Sequence, residues 1–369
     1  MIKKHFRISS PIQYHFKYEL GDILFFDIET TGFSPKTNYI YLIGCCYYKD
    51  STFHIKQWFS DDLSDEVEII DAFFKFIKNF KAIIHYNGAS FDMPFLQKKS
   101  DFYKLNHNFN NLDSIDIYRE ILQVKNLLNL PNYKLKTIES FLNIKRKDEY
   151  SGGELIEVYQ SYLGLKKIDD LKKITNEETK QILYKLLLHN EDDLRGLLDI
   201  LPILNYSKLF EESFSILKTE FINKQLHIAF DYNTSIPKPI KYKNDLISFE
   251  ASRSYGLIIV SSIIDTLKYF YKDYKNYYYL TKEDVAIHKS LAAFVDNDYK
   301  EKAKVSNCYS KKYGEYIPQF KPVLSPYFQY QHNDKITYLE YTDELITDPK
   351  FLDIYVKHIL RYIKKDSSK

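Results

Sequence analysis

Cysteine is scarce in these 369 residues: Cys45, Cys46 and Cys308 are the whole complement, two of them adjacent, and none has metal-ligand spacing. A disulfide scaffold is thereby excluded, and reduced thiols without structural zinc are expected. No run of about 18 apolar residues exists to span a bilayer, so no membrane partner is expected. The start, Met1-Ile-Lys-Lys-His-Phe-Arg-Ile-Ser-Ser10, is basic but lacks the apolar stretch of a secretory signal. A cytoplasmic protein is the expectation. Strong charge of either sign is missing too. The net charge is +2, split as about −2 before residue 205 and about +4 after it, too little for binding by bulk electrostatics. Local basic clusters at Lys145-Arg-Lys147, Lys166-Lys167 and Lys172-Lys173 read as solvated helix ends. What is plentiful is apolar and aromatic: 44% hydrophobic residues, with 34 tyrosines and 26 phenylalanines, enough to pack cores for the two domains that this length predicts. The tyrosines accompany many Lys, Asn and Ile, so compositional bias accounts for them as well as base stacking does.

The most informative segment is Asp22-Ile-Leu-Phe-Phe-Asp-Ile-Glu-Thr-Thr-Gly32. It reads as a buried strand in which Asp27 and Glu29 leave one face and Ile28 the other. Two anions so close on an apolar element repel each other and lose hydration, for which a bound cation is the usual relief. Two solvated acids at a strand end are the competing reading. A second acidic element is Ala82-Ile-Ile-His-Tyr-Asn-Gly-Ala-Ser-Phe-Asp-Met-Pro-Phe-Leu96, a short strand and an Asn-Gly turn, with Asp92 at a helix N-terminus. Alone, Asp92 reads as a helix cap. The third is a helix over roughly 177–200, with an apolar arc of Leu183, Leu186, Leu187, Leu194, Leu197 and Leu198. Asp193 falls on the flank of that arc, whereas Glu191 and Asp192 turn toward solvent. His189 lies one turn before Asp193.

Asp-x-Glu in a strand, Asn-Gly-x-x-Phe-Asp, and a late helix with His-Asn-x-x-Asp together resemble the DEDD exonuclease superfamily on the ribonuclease H-like fold. The similarity is greatest to the YprB-type ribonuclease H-like domain, RNase_H_2, over about residues 20–202. Asp116-Ile-Tyr118, Leu135-Lys-Thr-Ile-Glu139, Ser151-Gly-Gly-Glu154 with Tyr159, and His189-Asn-Glu-Asp-Asp193 occur in the family's order. The resemblance implies that Asp27, Glu29, Asp92 and Asp193 hold two divalent cations, Mg²⁺ or Mn²⁺, and that His189 orients or deprotonates the attacking water. It departs in one respect: three residues separate His189 from Asp193, where the better known His-type members have four. Hard cations prefer carboxylate oxygens, which fits an acidic quartet without Cys. Two such ions supply hydroxide and relieve the charge that builds on a phosphodiester. Thr30, Asn87 and Gly88 are candidate substrate contacts, with a plain strand-to-helix turn as the alternative for the last two. Phe33 reads as a core aromatic, with a wedge against a terminal base as the other option.

The expected fold is α/β, a ribonuclease H-like mixed sheet flanked by helices over residues 1–204, followed by a smaller α+β domain over 205–369. Strands are expected near 22–28, 39–48, 52–58 and 82–86, with a helix from Glu66 to Phe80 whose apolar side carries Val67, Ile70, Phe73, Phe74 and Ile77. Helices should dominate from 115 to 200, broken at Leu127-Leu-Asn-Leu-Pro-Asn132. The second half is expected to hold a helix over 207–221, strands near 225–231, 246–251, 255–264 and 267–271, and a helix starting at Thr281. That last helix would carry Val285, Ala292, Val295 and Tyr299, with His288 as a core histidine. The function expected is a metal-dependent exonuclease acting on single-stranded ends of DNA or RNA in the 3′ to 5′ direction that the superfamily implies. The alternative is a weakly active nucleic-acid binding or protein-docking module on the same fold. The C-terminal domain is a candidate for guiding nucleic acid or for recruiting a protein partner.

Overall fold

The run Ile40-Tyr-Leu-Ile-Gly-Cys-Cys-Tyr has no polar alternation, and it forms a strand buried on both faces. The computed structural model describes every residue except Gln13, Glu149, Ser151, Thr175, Glu212, Ser368 and Lys369. Ser151 of the family segment therefore lies outside the described residues. The chain divides into two compact units, one of Met1–Leu122 with Leu130–Asn205, the other of Gln123–Asn129 with Tyr206–Lys369.

In the first unit β1 (Ile2–Ile8), β2 (Ile23–Thr30), β3 (Ile40–Lys49), β4 (Thr52–Phe59), β5 (Ala82–His85) and β6 (Asp113–Asp116) form one sheet in the order β1-β4-β3-β2-β5-β6. The first four strands pair antiparallel, whereas β2–β5 and β5–β6 are parallel. The sheet is thus mixed, with β2 near its centre. On one face Leu24, Phe26 and Ile28 pack with Ile69, Ile70 and Phe73 of α1 (Glu66–Ile77) and with Leu96 of α2 (Asp92–Phe102). The buried side of α1 carries Ile70, Phe73, Phe74 and Ile77 as expected, with Ile69 in addition, whereas Val67 is exposed. After α3 (Ile117–Leu122), the one-turn α4 (Lys125–Leu128) groups with the second unit and ends on Asn129 in a left-handed conformation. Then α5 (Leu135–Phe141), α6 (Gly152–Lys172) and α7 (Glu177–Asp199) return to the first unit. Leu155, Tyr159 and Tyr162 of α6 and Leu186 and Leu187 of α7 close a second core over Tyr41, Leu42 and Phe59. This is the α/β fold with helices flanking a mixed sheet.

The second unit is richer in strands than the sequence predicts. The expected helix over 207–221 shrinks to α8 (Asn205–Lys208), and the rest becomes β7 (Phe214–Ile222). The reason is a hairpin: Asn223 and Lys224 both take positive φ, 53° and 61°, the two-residue turn that best joins twisted strands, and Ile222 pairs with Gln225. Beyond it β8 (Gln225–Lys243) and β9 (Ile247–Ser261) are long and irregularly paired, merging two expected strands into one. A second sheet of β10 (Ile263–Phe270), β14 (Tyr309–Gln319) and β15 (Thr337–Glu340) follows the order β10-β14-β15.

The helix expected after Thr281 is also a hairpin, of β11 (Tyr277–Leu280) and β12 (Val285–His288), with β13 (Lys300–Lys302) on the other side of β11. Asp284 sits in its turn at φ 53° and accepts hydrogen bonds from the hydroxyls of Tyr279 and Tyr309 and an ion pair from Lys311. The acid that looks like a helix start is fixing a strand turn. His288 is exposed, and its side chain caps the single turn α9 (Lys289–Ala292). A last helix, α10 (Pro349–Ser367), buries Phe351, Tyr355, Val356, Ile359 and Ile363. Among the described residues no helix is long and apolar enough to cross a membrane. All three cysteines are buried and free.

Candidate metal centre

Strand alternation on β2 puts Asp27 and Glu29 on the face opposite Phe26 and Ile28, toward α7. Asp27 pairs across from Gly44 of β3, and a bulge follows Glu29. Gly44 is required by what lies above it, because a Cβ there would stand 1.9 Å from Oδ1 of Asn190 on α7. Asn190 uses that space to donate from Nδ2 to Asp27 Oδ2 at 2.9 Å, while its Oδ1 accepts from Gln57 Nε2 at 3.0 Å. One amide therefore ties α7 to β2 and fixes an acid.

Asp92 opens α2, and its Oδ1 accepts the backbone N–H of Ile28 at 3.2 Å, bringing it to the same strand. The turn before it is held from below. The Asp116 carboxylate accepts from the N–H groups of Asn87 at 2.8 Å and Ala89 at 3.3 Å. Asn87 takes φ 59°, and Gly88 donates to His85 Nδ1 at 3.1 Å, where a Cβ would meet the imidazole at 2.7 Å. These contacts give Asn87 and Gly88 a turn-forming role. Thr30 Oγ1 is turned to the carbonyl of Gly32 at 2.8 Å.

On α7, His189 and Asp193 are one turn apart. His189 Nε2 is 3.4 Å from Asp193 Oδ2 and 3.6 Å from Glu29 Oε1, and single ligand atoms of these three residues lie within 4.8 Å of one another. The other ring nitrogen, Nδ1, is 2.6 Å from Asp148 Oδ2. The five predicted residues Asp27, Glu29, Asp92, His189 and Asp193 are thus drawn together from β2, α2 and α7.

Several neighbours were not anticipated. Arg146 is not a solvated helix end: its side chain is 10% exposed, with Nη1 3.0 Å from both oxygens of Glu139 and Nη2 2.5 Å from Asp193 Oδ1. Glu139 reaches it over Gly196 of α7, where a Cβ would lie 2.2 Å from Glu139 Oε1. Asp192 is buried rather than solvated, because its Oδ2 accepts the N–H groups of Lys147 and Asp148 at 2.8 Å and so fixes the loop that carries Arg146. Helical periodicity alone cannot show a loop folding over the polar side of α7. Phe33 is 84% exposed rather than in the core, since the chain leaves the sheet at Gly32; its ring touches Phe91, next to Asp92, at 6.2 Å between centroids.

Electrostatics decide what this cluster can hold. Burial, then the charges of Asp193, Glu29 and Asp92, push the Asp27 carboxyl well above its usual range. Burial and the Asp193 and Asp92 charges do the same to Glu29. Burial raises Asp92 to about 7 against two backbone hydrogen bonds that favour its charge. For Arg146, burial opposes the charge, but Asp193 and Glu139 outweigh it and keep the guanidinium protonated. One fixed cation thus faces several acids, and the remaining charge is what a hard divalent ion would neutralise. The donor set fits such an ion.

A mixed sheet with acids on its central strand, closed by a late helix carrying the last acid, defines a ribonuclease H superfamily domain. Residues 24–205 match the RNase_H_2 family model of that superfamily, and this segment of the chain belongs to it. No family model matches the C-terminal half. The chain is 24% identical over 246 residues to a PolC-type DNA polymerase III of Caldanaerobacter subterraneus, an alignment covering 60% of this chain and 17% of that protein. The chain therefore spans only a small part of that relative's length. Solved structures with some likeness include Escherichia coli exonuclease I with an oligonucleotide, at 15% identity over 33% of this chain and 36% of that one, TM-score 0.27. Another is the family B DNA polymerase of Pyrobaculum calidifontis, at 12% identity over 60% and 37%, TM-score 0.35. At those scores the likeness carries no inference about this chain's chemistry.

Proposed function

We propose that the chain is a metal-dependent exonuclease that hydrolyses phosphodiesters at single-stranded ends of DNA or RNA, in the 3′ to 5′ direction. The observation that carries this reading is the convergence of Asp27, Glu29, Asp92 and Asp193, where burial and mutual repulsion raise the first three above the usual carboxylate range. Two divalent cations, Mg²⁺ or Mn²⁺, held by these four carboxylates would supply hydroxide near neutral pH and relief of charge on the phosphate and leaving oxygen. The chain's own part is to hold the acids in place. Asn190 fixes Asp27, the Ile28 N–H fixes Asp92, Arg146 fixes Asp193 and Asp148 fixes His189. A protein that only bound or docked would gain nothing from keeping like charges together.

In this reading Phe33 stacks on a base at the strand end, a role supported by its exposure and its contact with Phe91 beside Asp92. The second unit is assigned to guiding the strand, on the support of its positive excess and exposed rings such as Phe294 and Tyr313; a protein-docking role is the alternative. The test is incubation with end-labelled single-stranded, duplex and tailed DNA and RNA in Mg²⁺ and in Mn²⁺, read on a gel. Metal-dependent shortening from one end of single strands is expected. Cleavage that ignores chelators, or no cleavage of any of these substrates, would overturn it.

A further inference from the structure

We propose that the pocket beside Arg146 is a phosphate subsite, holding a phosphodiester of the bound strand other than the one being cut, with Arg146, Lys136 and Lys145 as its donors. The inference rests on the exonuclease reading above and names what grips the strand next to the metal centre.

The pocket measures about 360 Å³ and is lined by α5 and the loop that follows it, with Lys136, Glu139, Ser140, Lys145 and Arg146 in its wall. Both ends of that loop are fixed. Asn143 takes φ 61°, which lets the N–H of Ile144 close on the Glu139 carbonyl at 2.8 Å. Further on, Asp192 holds the N–H groups of Lys147 and Asp148. Lys145 and Arg146 are therefore presented by a braced turn, so that little ordering remains to be done when a ligand arrives.

Three side chains of the wall are cationic, and its one acid, Glu139, is already engaged, since both oxygens accept from Arg146 Nη1. Lys136 turns part of its charge to Asp148, 3.5 Å away, and to the Tyr150 carbonyl. Lys145 is exposed and pairs with no acid among the described residues. Arg146 gives a second, independent sign. Its Nη atoms are used on Glu139 and Asp193, yet its Nε is buried and has no hydrogen-bond partner among the described residues. An unmade hydrogen bond on a buried cation is costly, and an anion drawn in against the guanidinium supplies the missing acceptor. Guanidinium and ammonium donors around one polar hollow suit phosphate oxygens. Because Nη2 of the same guanidinium touches Asp193, the pocket stands one planar group away from the acids of the metal centre. A strand cut at those acids passes there, and the phosphate that fits is a neighbour of the scissile one.

The experiment measures binding by the full chain in Ca²⁺, where cleavage is expected to be slow, using fluorescent single strands of one length. Each strand is unmodified or carries one neutral methylphosphonate, placed in turn at the linkages nearest the 3′ end. Lys145→Ala is the variant, since that side chain is exposed and its loss leaves the core intact. Neutralising one particular linkage should weaken binding by the parent about three- to tenfold. Lys145→Ala should bind the unmodified strand weaker by a similar factor and be indifferent to that linkage. Its logarithmic salt slope should be shallower by about 0.7, the share of one phosphate on a single strand. A variant that matches the parent in affinity and salt slope, or a loss spread evenly over all linkages, overturns the subsite and leaves the exonuclease reading standing. So does tight binding of inorganic phosphate by a parent blind to every methylphosphonate, which would assign the pocket to a free anion. A parent that binds no strand overturns the subsite, and one that also cuts none in Mg²⁺ or Mn²⁺ overturns both.

Discussion

Replacing Arg146 with Ala separates the charge that the fold supplies from the charge that a metal would supply. Its Nη1 donates to both oxygens of Glu139, which is 2% exposed, and its Nη2 to Asp193, which is 17% exposed. Removing one partner of a buried ion pair costs about 3–5 kcal/mol, because the abandoned charge stays buried. Here the loss depends on pH. Burial already raises Glu139, with Arg146 holding it down; without Arg146 its folded pKa climbs further above the unfolded value. The variant then binds a proton in the folded state that the unfolded chain lacks, so its stability falls as pH rises through that interval. The deficit should be near the full range at pH 8 and much smaller at pH 5. Trp58, the sole tryptophan and buried in β4 of the first unit, reports this by fluorescence during urea unfolding, whatever the second unit does. Saturating Mn²⁺ should restore part of the deficit, since an ion on Asp193 replaces a lost cation. A variant as stable as the parent at pH 8, or one with the same deficit at pH 5 and pH 8, would refute the reasoning.

Asp92, raised from 3.8 to about 7 by burial, holds a proton in the folded state that the unfolded chain has released. Its contribution to metal-free stability therefore declines from about pH 4 to pH 7, by a few kcal/mol; calorimetry should show that decline flattened in Asp92→Asn, and an unchanged slope would contradict the assignment. Gly44→Ala drives a methyl into Asn190 and should cost about 1–3 kcal/mol, together with the hydrogen bond that fixes Asp27. Urea unfolding and Mn²⁺ titration would both register it, and a neutral substitution would show that α7 is not anchored there. Phe33→Ala, at an exposed position, should leave melting unchanged but weaken binding of a single-stranded oligonucleotide in Ca²⁺ by about 1–3 kcal/mol. Equal affinity would remove the stacking role.

Four strands of the first unit's sheet were legible because they are apolar runs punctuated by turn residues, whereas the largely exposed β1 and the four-residue β6 were not expected; alternation alone put Asp27 and Glu29 on one face. The resemblance to the exonuclease superfamily is what grouped the acids, since local pattern gave each only its place: a strand, a helix N-terminus, a helix flank. Arg146, Glu139 and Asp148 were not legible, since their roles arise from a loop laid over α7 by Asp192 and from the space left by Gly196, contacts that no local period encodes. Asn190 stood in the His-Asn-x-x-Asp motif, but its hold on Asp27 was hidden for the same reason, since it depends on the missing Cβ of Gly44 on another element. In the second unit, Asn223-Lys224 and Asp284 each set a hairpin through positive φ, and periodicity mistook both regions for helices. A non-glycine residue in that conformation is a turn whose identity depends on the strands it joins.

The most direct test compares the parent with Asp27→Asn and Asp193→Asn on one end-labelled single strand in Mn²⁺, at equal protein concentration and with Trp58 fluorescence confirming the fold. The account predicts progressive shortening by the parent, abolished by chelation, and a loss of at least a hundredfold in either variant. Cleavage by the variants at the parent's rate would contradict it.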